Sequence, residues 1–254
     1  GRKIVNAAKT ALGGDNRTGC AVLVTLMAEI NRQALDHPPL TLLFTVREES
    51  GLHGARHVDM KDLGPIRQCF NYDGRSAAAV TVGAVGADKW EVEIFGRASH
   101  AGVAPERGIS STMILALALA DVREKGYFGK VVKKHGSGTS NVGPVGGISG
   151  GAAGDATNVV TDYVRVLGEC RSHDAKFFKE ITAAYKSAFE TAATAVANTD
   201  GRTGRVRFKA RTDYHPFKLK ENAAVVKRAV DAVSAIGRTP DIRSANGGLD
   251  AKWL

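Results

Sequence analysis

The sequence predicts an α/β protein in which a domain with a mainly parallel sheet carries an inserted β-α-β-β-α-β domain of the ferredoxin-like type. Two observations support this class. Apolar strand-like runs alternate with helical segments in the first third of the chain, and from about residue 85 strands with one polar face alternate with two long helices. The 254 residues, 43% of them hydrophobic and 24% charged, suffice for one large or two smaller globular domains.

The first domain is predicted from four segments. Residues 20–31 are apolar nearly all round, as in a helix packed on a sheet, and residues 40–46 read as a fully buried strand. A short helix is expected at 54–60 and a second strand at 66–72. Because strand and helix alternate, a mainly parallel sheet is the best interpretation of this part.

The inserted domain follows as a second pattern. In chain order we expect a strand at 90–95, a helix at 108–125, strands at 139–148 and 159–170, a helix at 174–198 and a strand at 205–211. Segments 221–236 and 241–254 return to helix and strand types that suit the first domain. The predicted domains are therefore 1–85 with 214–254, and 86–213.

Composition excludes several classes of function. No apolar run approaches the ~20 residues that cross a bilayer, and the N-terminal residues lack the apolar core of a signal peptide. The three cysteines form no CxxC pair, which favours reduced, buried thiols and a cytoplasmic protein. The net charge of +9 is scattered among acids, so neither nucleic acid nor membrane is an expected partner. The glycine-rich stretch 136–154 lacks a nucleotide-binding register and is interpreted as turns.

Carboxylates stand at the ends of predicted elements in the first domain. Asp15 lies in LGGDNRTG, the pair Glu48–Glu49 follows the strand predicted at 40–46, and Asp73 lies in FNYDG. Taken singly, each acid is typical of a turn, a helix cap or a wet surface. Together they favour a site, because acids that converge repel one another unless a cation lies between them.

These acids lie in motifs that resemble the co-catalytic zinc exopeptidases, a family that includes peptidase T, aminoacylase, carboxypeptidase G and succinyl-diaminopimelate desuccinylase. The motifs cover nearly the whole chain in the family's order and are LGGDNRTG, TVREESGLHGARH, FNYDG, GRASHAGVAPERG, TNVVTDYVRVLGECRS and NGGLDAKW. The amino-acid sequences of these motifs most resemble those of the peptidase T-like branch.

The resemblance implies a role for each acid. Asp15 would bridge two divalent metal ions, most readily zinc but also cobalt or manganese, while Glu49 would bind one ion and Asp73 the other. Glu48 would be the general base for a water activated between the two ions. The peptide bond between Asp15 and Asn16 is expected to be cis. The implied reaction is hydrolysis of an amide bond in a short peptide, as in a tripeptide aminopeptidase.

The inserted domain would be the lid and dimerisation domain of this family. His100 would reach the partner's site in a homodimer and hydrogen-bond the oxyanion or the substrate carbonyl. Asn158 and Arg171 would grip the peptide substrate, with the arginine a candidate for a terminal carboxylate. Two alternatives remain open. One is an N-acyl amino acid deacylase or a carboxypeptidase of the same family. The other is a catalytically inactive relative that binds peptides as a dimer.

The resemblance also implies that the catalytic domain is incomplete in these 254 residues, which lack two of its metal ligands. Family members have a metal-binding histidine in an H-x-D motif ahead of this sequence and another after it. His53 and His57, spaced i, i+4 on the predicted short helix, are disfavoured as replacements. Lys252 stands where the family commonly has asparagine. We therefore expect the 254 residues alone to bind zinc weakly and to hydrolyse little.

Overall fold

The computed structural model describes residues 5–154 and 156–254, which form two compact units. One unit comprises the chain up to Ala84 together with Lys218–Leu254, and the other comprises Val85–Phe217. The helices are α1 (Gly14–Gln33), α2 (His53–Arg56), α3 (Ser111–Glu124), α4 (Ala175–Ala195) and α5 (Ala224–Ala235). The strands are β1 (Ala79–Ala84), β2 (Gly86–Phe95), β3 (Gly129–Lys133), β4 (Gly136–Gly146), β5 (Tyr163–Ser172), β6 (Arg205–Tyr214), β7 (Phe217–Lys218) and β8 (Asp241–Ala245).

The first unit is built on a three-stranded sheet in the order β7-β1-β8. Strands β1 and β8 are parallel, with Ala79 opposite Asp241 and Ala84 opposite Ala245. Helix α5 packs on this sheet through a small apolar cluster that joins Val80 and Val82 to helix residues. The parallel pairing agrees with the predicted class, since distant segments of the chain meet in one sheet.

Two strands predicted for this unit are wrong. Residues 40–46 belong to no strand, and Phe44 and Val46 are 48% and 68% exposed. Residues 66–72 likewise form no strand, and Phe70 and Tyr72 are exposed. A strand needs a neighbouring backbone to receive its hydrogen bonds, and within the described residues neither segment has one.

Helix α1 confirms the helix predicted at residues 20–31 but not the packing predicted for it. Only Gly19 and Ile30 of α1 are buried, while Val22, Val24 and Leu26 are exposed. An apolar helix is covered only where a partner surface lies against it. No sheet of the described residues covers this face.

The second unit confirms the predicted ferredoxin-like domain and adds a strand. Its antiparallel sheet has the order β3-β4-β5-β2-β6. The four strands β4-β5-β2-β6 reproduce the split βαβ arrangement, and β3 extends it at one edge. The two helices α3 and α4 pack against one face of the sheet.

The core of the second unit is aromatic and continuous. Helix α4 buries Phe178, Tyr185 and Phe189 at helical spacing, and each is fully enclosed. The ring of Trp90, from β2, lies 4.7 Å from the ring of Tyr185. The Tyr185 hydroxyl also makes a 3.0 Å hydrogen bond with Ser140 of β4, which satisfies its polar atom inside the core.

Other predictions concern the surface of the molecule. No helix among the described residues is both long and apolar enough to pass through a membrane. All three cysteines are free. Cys170 is buried as expected, but Cys20 and Cys69 are exposed, so burial was predicted wrongly for those two thiols.

Candidate active site

The start of α1 holds Asp15 beside Asp73. The peptide bond between Asp15 and Asn16 is cis, as expected from the resemblance. The Asn16 side chain donates from Nδ2 to the carbonyl oxygen of Tyr72 at 2.8 Å and accepts at Oδ1 from the Gly19 amide at 2.9 Å. This bridge ties the helix to the segment that carries Asp73, and the two carboxyls lie within hydrogen-bonding distance of each other.

Glu48 and Glu49 lie on a short loop that the backbone closes on itself. The Leu52 amide donates to the Glu48 carbonyl at 2.8 Å, and the Gly54 amide donates to the Val46 carbonyl at 2.9 Å. The side chain of Leu52 is buried. We call residues 46–54 the glutamate loop. The backbone hydrogen bonds of this loop fix the backbone positions of Glu48 and Glu49.

Burial and mutual repulsion act on these carboxyls. Desolvation raises the pKa of Glu48 to about 7, with further contributions from the charges of Glu49, Asp73, Asp250 and Asp15. The structure thus brings the four predicted acids of the first unit within electrostatic reach of one another. A fifth carboxylate, Asp250, is part of the same cluster.

Asp73 shows the same effect. Desolvation raises its pKa to about 6, and the charge and hydrogen bond of Asp15 add to the shift. Glu49 and Asp250 contribute smaller charge effects. A proton on Asp73 relieves this repulsion, and a divalent cation would relieve it in the same way.

Asp250 is the member of this cluster that sequence reasoning missed. It is buried in a short 3-10 helix, Asp250–Lys252, near the C-terminal end of the chain. The available signal was its position in NGGLDAKW, an acid shortly after a Gly-Gly pair, much as Asp15 follows Gly13 and Gly14.

The carboxylates fit a divalent cation only in part. Asp15 and Asp73 supply the paired oxygen donors that such an ion takes. Among the described residues, however, no group of three or more His, Cys, Asp or Glu side chains is arranged to hold a metal ion. His53 and His57 do not repair this. Nδ1 of His57 lies 2.8 Å from the carbonyl oxygen of His53 and is engaged in a hydrogen bond with it, so this nitrogen is not available to an ion.

The second unit carries the other predicted residues, and two of them are neighbours. His100 pairs with Val159 in an isolated β-bridge, and the Ala101 amide donates to the Asn158 carbonyl at 2.8 Å. The Gly102 amide donates to Nδ1 of His100 at 3.1 Å. A neutral His100 therefore carries its proton on Nε2, which becomes a hydrogen-bond donor at an exposed position.

Arg171 lies at the opposite end of the same sheet. Asn158 precedes the first residue of β5, Tyr163, whereas Arg171 is near the last. The nine residues from Tyr163 to Arg171 span about 26 Å of strand. The guanidinium pairs with Glu169, two residues earlier, through Nε at 2.9 Å from Oε1. One copy of this unit does not place His100, Asn158 and Arg171 around a common point.

Comparison with known protein families matches both units to peptidases. Residues 82–196 match the peptidase dimerisation domain, and residues 5–64 match the M42 glutamyl aminopeptidase family. The first match lies within the ferredoxin-like unit, apart from a few residues ahead of it. The second covers the motifs of Asp15 and of the glutamate loop.

Individual relatives extend over nearly the whole chain. YqjE, an uncharacterised protein of Bacillus subtilis, is 30% identical over 96% of this chain and 61% of its own length. The crystal structure of aminopeptidase PepT from Bacillus cereus is similar with a TM-score of 0.79 and 31% identity, covering 96% of this chain and 61% of that chain. A tripeptidase from Staphylococcus aureus gives 0.83 and 28%, covering 96% and 60%. The chain thus spans about three fifths of the length of these relatives.

Proposed function

We propose that the chain belongs to the peptidase T-like branch of the peptidases that share this dimerisation domain, and that the protein hydrolyses peptide bonds of short peptides as a tripeptide aminopeptidase. The observation that carries the proposal is the convergence of Asp15, Glu48, Glu49 and Asp73 in the first unit. We assign residues 1–85 and 214–254 to the catalytic domain and 86–213 to the lid and dimerisation domain.

We assign a metal-binding or catalytic role to each of these acids. Asp15, Glu49 and Asp73 would hold two divalent metal ions, with Asp15 between them. Such ions, when bound, polarise the scissile carbonyl and make a water more acidic at neutral pH. Glu48 would take the proton from the attacking water and pass it to the leaving amine, because it stands next to a ligand without being one. A cytoplasmic location agrees with the free cysteines.

The lid residues would act in a homodimer. Within one copy His100 and Asn158 lie at one end of β5 and Arg171 at the other, so a single lid does not surround a peptide with all three. In a dimer, His100 of a second copy would donate from Nε2 to the substrate carbonyl. Arg171, released from Glu169, would bind the terminal carboxylate of the peptide.

The test is a peptidase assay on this chain and on any longer gene product that contains it, with zinc, cobalt or manganese added. Free tripeptides, N-acetylated tripeptides and N-acyl amino acids are compared, because only an aminopeptidase prefers the free amine. Glu48→Gln should lower kcat by roughly 10²–10⁴-fold, and the exposed Glu221→Gln should not change it. Equal turnover by Glu48→Gln would overturn the assignment of the base.

A second candidate is an inactive dimeric relative that binds peptides. The observation in its favour is that the described residues contain no three-ligand metal group. Tripeptide binding measured by calorimetry, together with absent turnover in every metal and in the longer gene product, would support this candidate over the enzyme.

A further inference from the structure

The carboxylate of Asp250 has a place in the site that no family role assigned above explains. It is 9% exposed, and its Oδ2 accepts a hydrogen bond from the hydroxyl of Thr45 across 205 positions of sequence. Its other oxygen, Oδ1, is fully buried without a hydrogen-bond partner among the described residues. Burying a carboxylate with one oxygen unsatisfied costs free energy. Stability alone is therefore a poor explanation for Asp250.

Thr45 is the residue through which Asp250 reaches the site. It immediately precedes Val46, whose carbonyl closes the glutamate loop by accepting from the Gly54 amide at 2.9 Å. The hydrogen bond from Thr45 to Asp250 therefore fixes the backbone at the point where the chain enters that loop. Glu48 follows three residues later, inside the closed segment.

The same C-terminal segment also contacts the far side of the loop. The 3-10 helix that begins at Asp250 packs against α2, whose first two residues, His53 and Gly54, are the last two of the glutamate loop. The guanidinium carbon of Arg56 lies 5.1 Å from the ring centre of Trp253. A short stretch of chain thus holds the glutamate loop at both ends, through Thr45 on one side and Arg56 on the other.

We propose that Asp250 is a positioning residue, which orients Glu48 and Glu49 by fixing the glutamate loop through Thr45. Its charge also reaches the site, as its contributions to the raised pKa values of Glu48 and Asp73 indicate. The catalytic meaning of this position rests on the proposed function, whereas the order that it gives to the loop does not.

The test measures hydrogen exchange at the amides of Gly51, Leu52, His53 and Gly54, whose backbone hydrogen bonds close the loop. Thr45→Val and Asp250→Asn should each raise these rates by roughly five- to tenfold, because each weakens or removes one hydrogen bond that resists local opening. Thr45→Ser keeps the hydroxyl and should restore protection. Because the two residues act through one bond, the double variant should be no worse than the worse single variant.

The chain offers a matched control in its second unit. Thr212 donates from its hydroxyl to buried Asp88 at 2.9 Å, so Thr212→Val removes a threonine–aspartate hydrogen bond of the same kind. Exchange in the glutamate loop should not respond to it. The unfolding midpoint separates positioning from support of the fold. A positioning role predicts that Asp250→Asn leaves the midpoint unchanged or raises it, since it removes a half-satisfied buried charge.

Catalytic activity provides a second measurement, independent of hydrogen exchange, on whichever form of the protein hydrolyses tripeptides. Thr45→Val should lower kcat by roughly tenfold and leave KM nearly unchanged, because it misplaces the base without touching the substrate. Loop protection that stays at the unsubstituted level in both Thr45→Val and Asp250→Asn overturns the proposal, whatever the activity. Absent turnover in the unsubstituted protein overturns the proposed function instead, and the exchange rates still decide the role of Asp250.

Discussion

The two units of this chain use similar apolar segments with opposite results. In the second unit, Phe189 of α4 is fully buried within a continuous core. In the first unit, Val24 of the apolar helix α1 is 60% exposed, and Phe44 of the segment 40–46 is 48% exposed. An apolar pattern measures a tendency to be buried, whereas burial itself needs a partner surface. The second unit supplies that surface within its own residues.

The largest expected effect is a difference in the cost of removing an apolar side chain. Phe189→Ala should lower the free energy of unfolding of the second unit by about 3–5 kcal/mol, because it leaves a cavity in a closed core. Val24→Ala should cost the first unit less than about 0.5 kcal/mol, because an exposed side chain leaves no cavity. Urea unfolding of each variant measures both values.

The two tryptophans allow each unit to be followed by itself. Trp90 is buried in the core of the second unit, and Trp253 lies in the first unit beneath Arg56. Fluorescence in Trp90→Phe and Trp253→Phe backgrounds therefore assigns every transition to one unit. A loss of several kcal/mol with Val24→Ala would contradict the comparison, since it would require α1 to be packed.

The same contrast explains what could be predicted from the sequence. Helix α4 was predictable because its apolar residues recur at helical spacing and because Asp174, the residue before it, caps the helix by accepting from the Lys176 amide. Residues 40–46 were predicted wrongly because pairing depends on a distant backbone. Strand β3 was missed because it is a five-residue edge strand between glycines.

The candidate site also has features that the sequence predicted and features that only the structure shows. The four acids were found because motif spacing survives in the linear sequence, and the cis bond after Asp15 followed from the resemblance. The hydrogen bond between Thr45 and Asp250 joins residues 205 positions apart and leaves no local pattern. The separation of His100 from Arg171 along β5 is a property of sheet register, which only the structure shows.

A smaller effect is expected where the first unit does pack closely. A methyl group on Gly19 would overlap the carbonyl oxygen of Tyr72, so Gly19→Ala should push α1 away from the segment that carries Asp73. Overpacking of this kind costs about 1–3 kcal/mol. Affinity for zinc should fall by roughly tenfold because the two carboxylates separate.

Gly14→Ala is the matched control within the same helix. The nearest atom to its added methyl would be Thr18 Oγ1 at 3.8 Å, an ordinary contact. The unfolding midpoint from Trp253 fluorescence and a calorimetric zinc titration are measured for both variants. Equal behaviour of the two would show that the contact between Gly19 and Tyr72 does not hold the acids together.

A further effect is a pH dependence confined to the first unit of the metal-free protein. Folding raises the pKa of Glu48 from 4.5 to about 7 and that of Asp73 from 3.8 to about 6. Between the ordinary pKa values and the raised ones, the unfolded chain has released protons that the folded protein still holds. The free energy of unfolding therefore falls as pH rises through the raised pKa values. The midpoint reported by Trp253 should therefore be lower near pH 7.5 than near pH 5.

Glu48→Gln isolates the contribution of Glu48 to this dependence, because every other titratable group is the same in both proteins. The variant should lose part of the pH dependence, and added zinc should raise the midpoint of the unsubstituted protein more near pH 7.5 than near pH 5. An identical pH profile in Glu48→Gln would show that repulsion at Glu48 does not affect the fold.

The smallest effect concerns exposed ion pairs on helices of the two units. In α1, Glu29 accepts from Arg32 and from Gln33, both at 2.6 Å. At the C-terminal end of α3, Lys125, the residue after the helix, lies 2.8 Å from Asp121. Such pairs support a helix weakly. Because α1 has little packing, Arg32→Ala should raise amide exchange in its last turn by roughly twofold, whereas packing against α4 should leave α3 unchanged in Lys125→Ala. If both helices respond equally, local interactions support them to the same degree, and the contrast between the units is confined to their side-chain cores.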